Sequence, residues 1–216
     1  MLTMYEVIPG ILEKTWEEVE KKIQLLSPFA KSLHIDIIDG KFAPNLTFLD
    51  PKPFTKYKDQ FFLEAHLMVD EPINYLKPFA DAGFKRFLGH VEKMSSQEEF
   101  VAQGQLLGEV GLAVDGPTPL DAIRVPYNDL DCIVFMTITA GFSGQSFMSE
   151  KLEKVKILKS KTSIPIEVDG GVKDTTIALA KNAGATRFVA TSFISGATSP
   201  QNAYHLLQET IKQFNG

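Results

Sequence analysis

Eight short apolar runs recur along this chain at intervals of roughly 20–35 residues, about the length of one βα unit. They are Tyr5–Ile8, Leu33–Ile37, Phe61–Met68, Arg86–His90, Leu112–Val114, Cys132–Thr137, Ile164–Val168 and Arg187–Ala190. They are rich in Val, Ile and Phe without clear polar alternation. That is the pattern of parallel strands covered on both faces. The stretches between them carry helix signals. Thr15-Trp16-Glu17-Glu18 is a capping box, and Val19, Ile23 and Leu26 share one face behind it. Pro72 opens a helix over Ile73–Ala82 that Gly83 ends, and Ser96 opens another with acids in its first turn. Glu150–Lys161, Asp174–Asn182 (closed by Gly184) and Pro200–Phe214 follow, the last with Leu206, Leu207 and Ile211 expected to face inward.

Eight such units without a linker, a low-complexity segment or a composition shift predict one (β/α)8 TIM barrel domain over residues 1–216. A doubly wound open sheet is the alternative, but no G-x-G-x-x-G follows the first run. The bulk properties remove other classes. The net charge is -5 and no basic stripe stands out, which argues against a nucleic-acid or anionic-membrane surface. No apolar run approaches the roughly 20 residues that span a bilayer, and the N-terminus has no signal-peptide pattern. The lone Cys132 lies inside an apolar run and reads as a core residue; with no disulfide framework, a reducing, cytoplasmic location is expected.

In such a barrel the active site forms at the C-terminal ends of the strands, and that rule sorts the polar residues. His34 and Asp36 are two apart in one run, so their side chains point the same way. His66 lies near the end of the third run and Asp169 just follows the seventh. Two imidazoles and two carboxylates from three strand ends suit one divalent metal. Zn²⁺ is favoured, with Fe²⁺, Mn²⁺ and Co²⁺ also compatible. His90 also ends a strand, on the side away from the seventh, and reads as structural or supporting. Small residues follow the last three strands: Gly141-Phe142-Ser143-Gly144, Gly170-Gly171 and Thr191-Ser192. Backbone amides there can approach a phosphate. A phosphate held at one side and a metal near the centre suggest a small phosphorylated sugar across the barrel mouth. Asp36 would then take a proton from carbon and Asp169 return one on the opposite face, through an enediolate.

These residues resemble the ribulose-phosphate 3-epimerase family, including its pentose- and hexulose-phosphate relatives. The matching pieces are His34-Ile35-Asp36-Ile37-Ile38-Asp39-Gly40-Lys41-Phe42-Ala43-Pro44-Asn45, His66-Leu67-Met68, Gly141-Phe142-Ser143-Gly144-Gln145-Ser146-Phe147 and Val168-Asp169-Gly170-Gly171. The resemblance implies a (β/α)8 barrel that binds one divalent ion through His34, Asp36, His66 and Asp169. Asp36 would be proton acceptor and Asp169 donor, His66 would also lie close to the substrate, and the glycine loops with Thr191 and Ser192 would hold the phosphate end. It implies an isomerase of carbohydrate metabolism (the pentose phosphate pathway), and a homo-oligomer. Met68 and Met136 would line the site. The chain departs from the family pattern at Gly10, Ile38, Ala140, Ser143, Thr191 and the stretch Asp115–Pro119. The serine expected at Gly10 would carry a substrate-contacting hydroxyl, and Thr191 replaces a glycine. The departures leave the ligands intact and surround the sugar. The substrates they admit are D-ribulose 5-phosphate, expected first, and D-allulose 6-phosphate. A sugar-phosphate decarboxylase would use an Asp-x-Lys pair, present only as Asp39-Gly40-Lys41, and Lys41 reads as a solvated loop charge. A sugar-phosphate-binding protein with impaired turnover is the alternative of another class.

Overall fold

The computed structural model describes residues 5–213 and forms a closed barrel of eight parallel strands in sequence order. The strands are β1 (Glu6–Ile11), β2 (Ser32–Ile38), β3 (Phe62–Met68), β4 (Arg86–His90), β5 (Glu109–Val114), β6 (Cys132–Met136), β7 (Ile166–Asp169) and β8 (Arg187–Ala190). Nearly every strand residue is buried, because side chains fill the barrel on one face and meet helices on the other. The expected strands all exist. β1 runs past the expected end at Ile8 to Ile11, staying in register with β8 at Pro9, opposite Ala190. β7 starts later than expected, just after Pro165.

The outer layer holds α1 (Trp16–Leu26), α2 (Ile73–Asp81), α3 (Gln97–Gln105), α4 (Leu152–Lys159), α5 (Asp174–Ala183), α6 (Ser192–Ser195) and α7 (Pro200–Gln213). The Thr15–Glu18 capping box forms, and Val19, Ile23 and Leu26 are buried. Gly184 ends α5 in the left-handed region at φ 115°. After β2 and β5 the chain makes only 3-10 turns. Those segments hold Pro44, Pro51 and Pro53, and Pro117, Pro119 and Pro126, each lacking the N–H a longer helix would need. Leu206 corrects one expectation. It is 45% exposed, because the buried stripe of α7 runs through Ala203, Tyr204, Leu207 and Ile211. Phe214, the expected end of that helix, lies outside the described residues. Among the described residues no helix is long and apolar enough to cross a membrane. Cys132 is wholly buried, and burial pushes its thiol up to about 12.

Candidate active site

Strand register brings the polar residues together. Asp36 of β2 sits opposite His66 of β3, so the two side chains leave neighbouring strands on the same side. Asp36 Oδ1 lies 2.9 Å from His66 Nδ1 and 3.4 Å from His34 Nε2. Asp169 reaches in from β7, its Oδ2 3.4 Å from His66 Nδ1 and 3.8 Å from His34 Nε2. One atom from each of the four residues falls within a 4.8 Å span, and all four residues are buried. His34 Nε2 is buried without a hydrogen-bond partner although it faces two carboxylates. A buried imidazole nitrogen left open beside two carboxylate oxygens fits a divalent cation, and two nitrogens with two oxygens suit a borderline metal.

The second nitrogen of each imidazole is held from behind. His34 Nδ1 lies 2.6 Å from Glu64 Oε1 and 3.4 Å from Glu167 Oε1. Glu64 in turn pairs with Arg86, whose Nε donates to Glu109 at 2.8 Å. His66 Nε2 lies 3.0 Å from His90 Nε2. These partners, Glu64, Glu167 and His90, form a buried polar layer under the four candidate ligands.

Electrostatics divides the two aspartates. Burial pushes Asp36 up, but the His34 and His66 rings beside it outweigh that and hold the carboxyl below its ordinary value. Asp169 is raised to about 6, first by burial and then by the charge of Asp36. His34 is lowered by burial yet raised overall, well above its ordinary value, by Asp36, Glu167 and Glu64. His90 is lowered, chiefly by burial. Burial also pushes Glu92 up, but the His90 hydrogen bond, with those of Thr118 and the Asp115 amide, holds it to about 2.

Above this group opens a cavity of about 290 Å³. Asp36 and Asp169 reach it together with Met68 and Met136, whereas His34 and His66 are fully buried and do not line it. Gly141, Phe142, Ser143, Gly144, Gly170, Gly171, Thr191 and Ser192 all line it, so the small-residue loops after β6, β7 and β8 converge on one space. Gly170 and Gly171 have φ of 111° and 66°. A Cβ on Gly171 would stand 2.9 Å from the Phe147 amide nitrogen, so this turn requires glycine and leaves its backbone bare toward the cavity.

Two neighbouring departures from the family pattern interlock. A Cβ built on Gly10 would stand 2.1 Å from Thr191 Oγ1. The threonine hydroxyl therefore takes the space that a side chain at position 10 would need. Gly10→Ser alone should destabilise the fold by about 1–3 kcal/mol through overpacking. Gly10→Ser with Thr191→Ala should regain most of that, as measured by thermal unfolding. Equal losses in both variants would contradict the coupling.

Lys41 lies off this site. Its Nζ is 3.5 Å from Asp70, its side chain is 67% exposed, and it does not line the cavity. Three features escaped the reading of the sequence. Among the described residues Lys173 is the one basic residue lining the cavity, placed just after the Gly170-Gly171 pair. Glu64 and Glu167 lie two positions before His66 and Asp169, a spacing that puts each on the same strand face as its neighbour and could have revealed them.

A cavity at the C-terminal mouth of a closed parallel barrel, with acidic groups at its floor and bare backbone turns on its wall, marks a small-molecule enzyme of the (β/α)8 class. Residues 6–195 match the ribulose-phosphate 3 epimerase family, and the chain belongs to that family of isomerases. The ribulose-phosphate 3-epimerase of Schizosaccharomyces pombe is 33% identical over 213 residues, covering 95% of this chain and 93% of its own. The cytoplasmic isoform from Oryza sativa subsp. japonica is 37% identical over 187 residues, covering 83% and 82%. Among solved structures, 3-keto-L-gulonate-6-phosphate decarboxylase from Vibrio cholerae superposes with a TM-score of 0.73 over 99% of this chain and 100% of its own, at 13% identity. That last likeness is one of fold.

Proposed function

We propose that this protein interconverts D-ribulose 5-phosphate and D-xylulose 5-phosphate by proton transfer at C3. The observation that carries the reading is the pair Asp36 and Asp169. They come from β2 and β7, reach one cavity together, and have their proton affinities driven apart. Asp36, held below its ordinary value, stays ionised and so is available to accept the C3 proton. Asp169, held above it, is suited to return one to the other face. Their roles exchange in the reverse direction.

His34, Asp36, His66 and Asp169 would hold one divalent ion, Zn²⁺ before Fe²⁺, Mn²⁺ or Co²⁺. The ion would supply Lewis-acid stabilisation of the negative charge that develops on the sugar oxygens. Glu64 orients the His34 ring through Nδ1. The turns at 141–144, 170–171 and 191–192 would take the phosphate end, and Lys173 lines the same cavity. Met68 and Met136 give the sugar an apolar wall and limit water near the reacting carbon.

Ser143 and Thr191, departures from the family pattern that line the cavity, motivate one second reading, the longer D-allulose 6-phosphate. The test is an epimerisation assay with both sugar phosphates on the metal-loaded protein. The expected result is a kcat/KM at least about tenfold higher for ribulose 5-phosphate, a preference of about 1.4 kcal/mol. The reverse ratio would reassign the substrate, and no turnover of either would leave a binding protein.

A further inference from the structure

The environment of His66 differs from that of His34 in a way that determines where its proton sits. His34 turns Nδ1 to Glu64 and Nε2 to the carboxylate cluster, whereas His66 turns Nδ1 to the cluster. The nitrogen left over, His66 Nε2, meets another imidazole nitrogen, His90 Nε2, at 3.0 Å. His90 Nδ1 lies 3.0 Å from Glu92 Oε2, and the other Glu92 oxygen accepts the Asp115 amide at 2.8 Å. The two ring planes lie within 25° of each other with centroids 5.0 Å apart, an edge-to-edge arrangement, and Phe42 packs on His90 at 4.3 Å.

Two facing imidazole nitrogens form a hydrogen bond only when one of them carries the hydrogen. A carboxylate is an acceptor, so Glu92 keeps the hydrogen of His90 on Nδ1. The Nε2 of a neutral His90 is then bare and can only accept. His66 must supply the hydrogen, from Nε2, which leaves the lone pair of His66 on Nδ1, facing Asp36 and Asp169.

We infer that His90 and Glu92 form a relay that fixes the tautomer of His66 and so presents its Nδ1 to a metal ion. Both are positioning residues, since neither lines the cavity. The relay rests on the proposed reading of the four-residue group as a metal site, but the proton placement is a property of the metal-free chain as well. Without the relay, His66 would gain by moving its hydrogen to Nδ1 and donating to Asp36 at 2.9 Å, which closes the site to a cation. Packing alone would make no demand on the tautomer.

The test uses full-length protein with ¹⁵N-labelled histidine, stripped of metal, and reads the hydrogen on each ring from long-range ¹H–¹⁵N correlations. Wild type should show His66 protonated on Nε2 and His90 on Nδ1. His90→Gln, whose amide oxygen can accept from His66, should keep that state. His90→Leu should move the His66 hydrogen to Nδ1. Zn²⁺ affinity by chelator competition should fall about 10–100-fold in His90→Leu and be largely rescued in His90→Gln. A wild-type His66 protonated on Nδ1 overturns the relay whether or not the leucine variant folds, as does a folded His90→Leu protein with unchanged Zn²⁺ affinity. Wild-type protein that shows the expected tautomers and binds no Zn²⁺ would refute the metal reading and leave the proton relay standing.

Discussion

Chelation should lower the rate of C3 epimerisation by about three orders of magnitude, and added Zn²⁺ should restore it. A bound ion acting as Lewis acid contributes several kcal/mol to the transition state, and each 1.4 kcal/mol is about tenfold in rate. In the metal-free chain Asp36, Glu167 and Glu64 raise His34 well above its ordinary value, so a proton there competes with the metal. The direction of the pH effect follows from competition between protons and metal. Metal binding needs Asp169 deprotonated, and in the metal-free chain that group titrates at about 6. His34 must also lose its proton. Metal affinity should therefore rise with pH and weaken as pH falls through about 6. Dialysis against chelator at pH 5 and pH 8, followed by metal analysis, checks it. Equal retention at both values, or full activity in metal-free protein, would contradict the assignment.

Asp169→Asn should cost about 10²–10⁴ in kcat, the usual contribution of a positioned acid or base. Asparagine keeps the shape and one ligand oxygen but cannot deliver the proton. Asp169 adds something that geometry alone does not: in the metal-free chain burial and the nearby Asp36 charge raise its proton affinity, to about 6. Metal content must be measured in the variant, since a lost ion would lower activity by the other route. If the variant holds metal and still epimerises at the wild-type rate, Asp169 is not the donor.

The barrel was readable because its signal is repeated. Each strand is a short apolar run buried on both faces, and each punctuating residue acts locally, as the Thr15 cap and Gly184 do. The misreadings were local too. The first run is expected to end at Ile8, yet Pro9 stays in register with β8 and Gly10 with β2 as the barrel closes. Leu206 was placed inward from hydrophobicity, but the helical period turns it outward. The candidate ligands were readable because His34, Asp36 and His66 interrupt otherwise apolar strands and Asp169 ends one. What supports them was harder to see. The Glu92–His90–His66 chain and the contact of Gly10 with Thr191 depend on which strands become neighbours and at what register. His90 read as structural or supporting, but its partner was not apparent. Lys173 gave only a positional hint, because a loop lysine is ordinarily solvated.

The most direct measurement is the isotopic fate of C3 when metal-loaded wild-type protein converts D-ribulose 5-phosphate in D₂O. With Asp36 removing the proton from one face and Asp169 delivering another to the opposite face, the xylulose 5-phosphate formed at early times should carry deuterium at C3, read by NMR. Product that retains the substrate's own C3 hydrogen would mean that one group or a direct transfer does both steps, and would contradict the two-aspartate account.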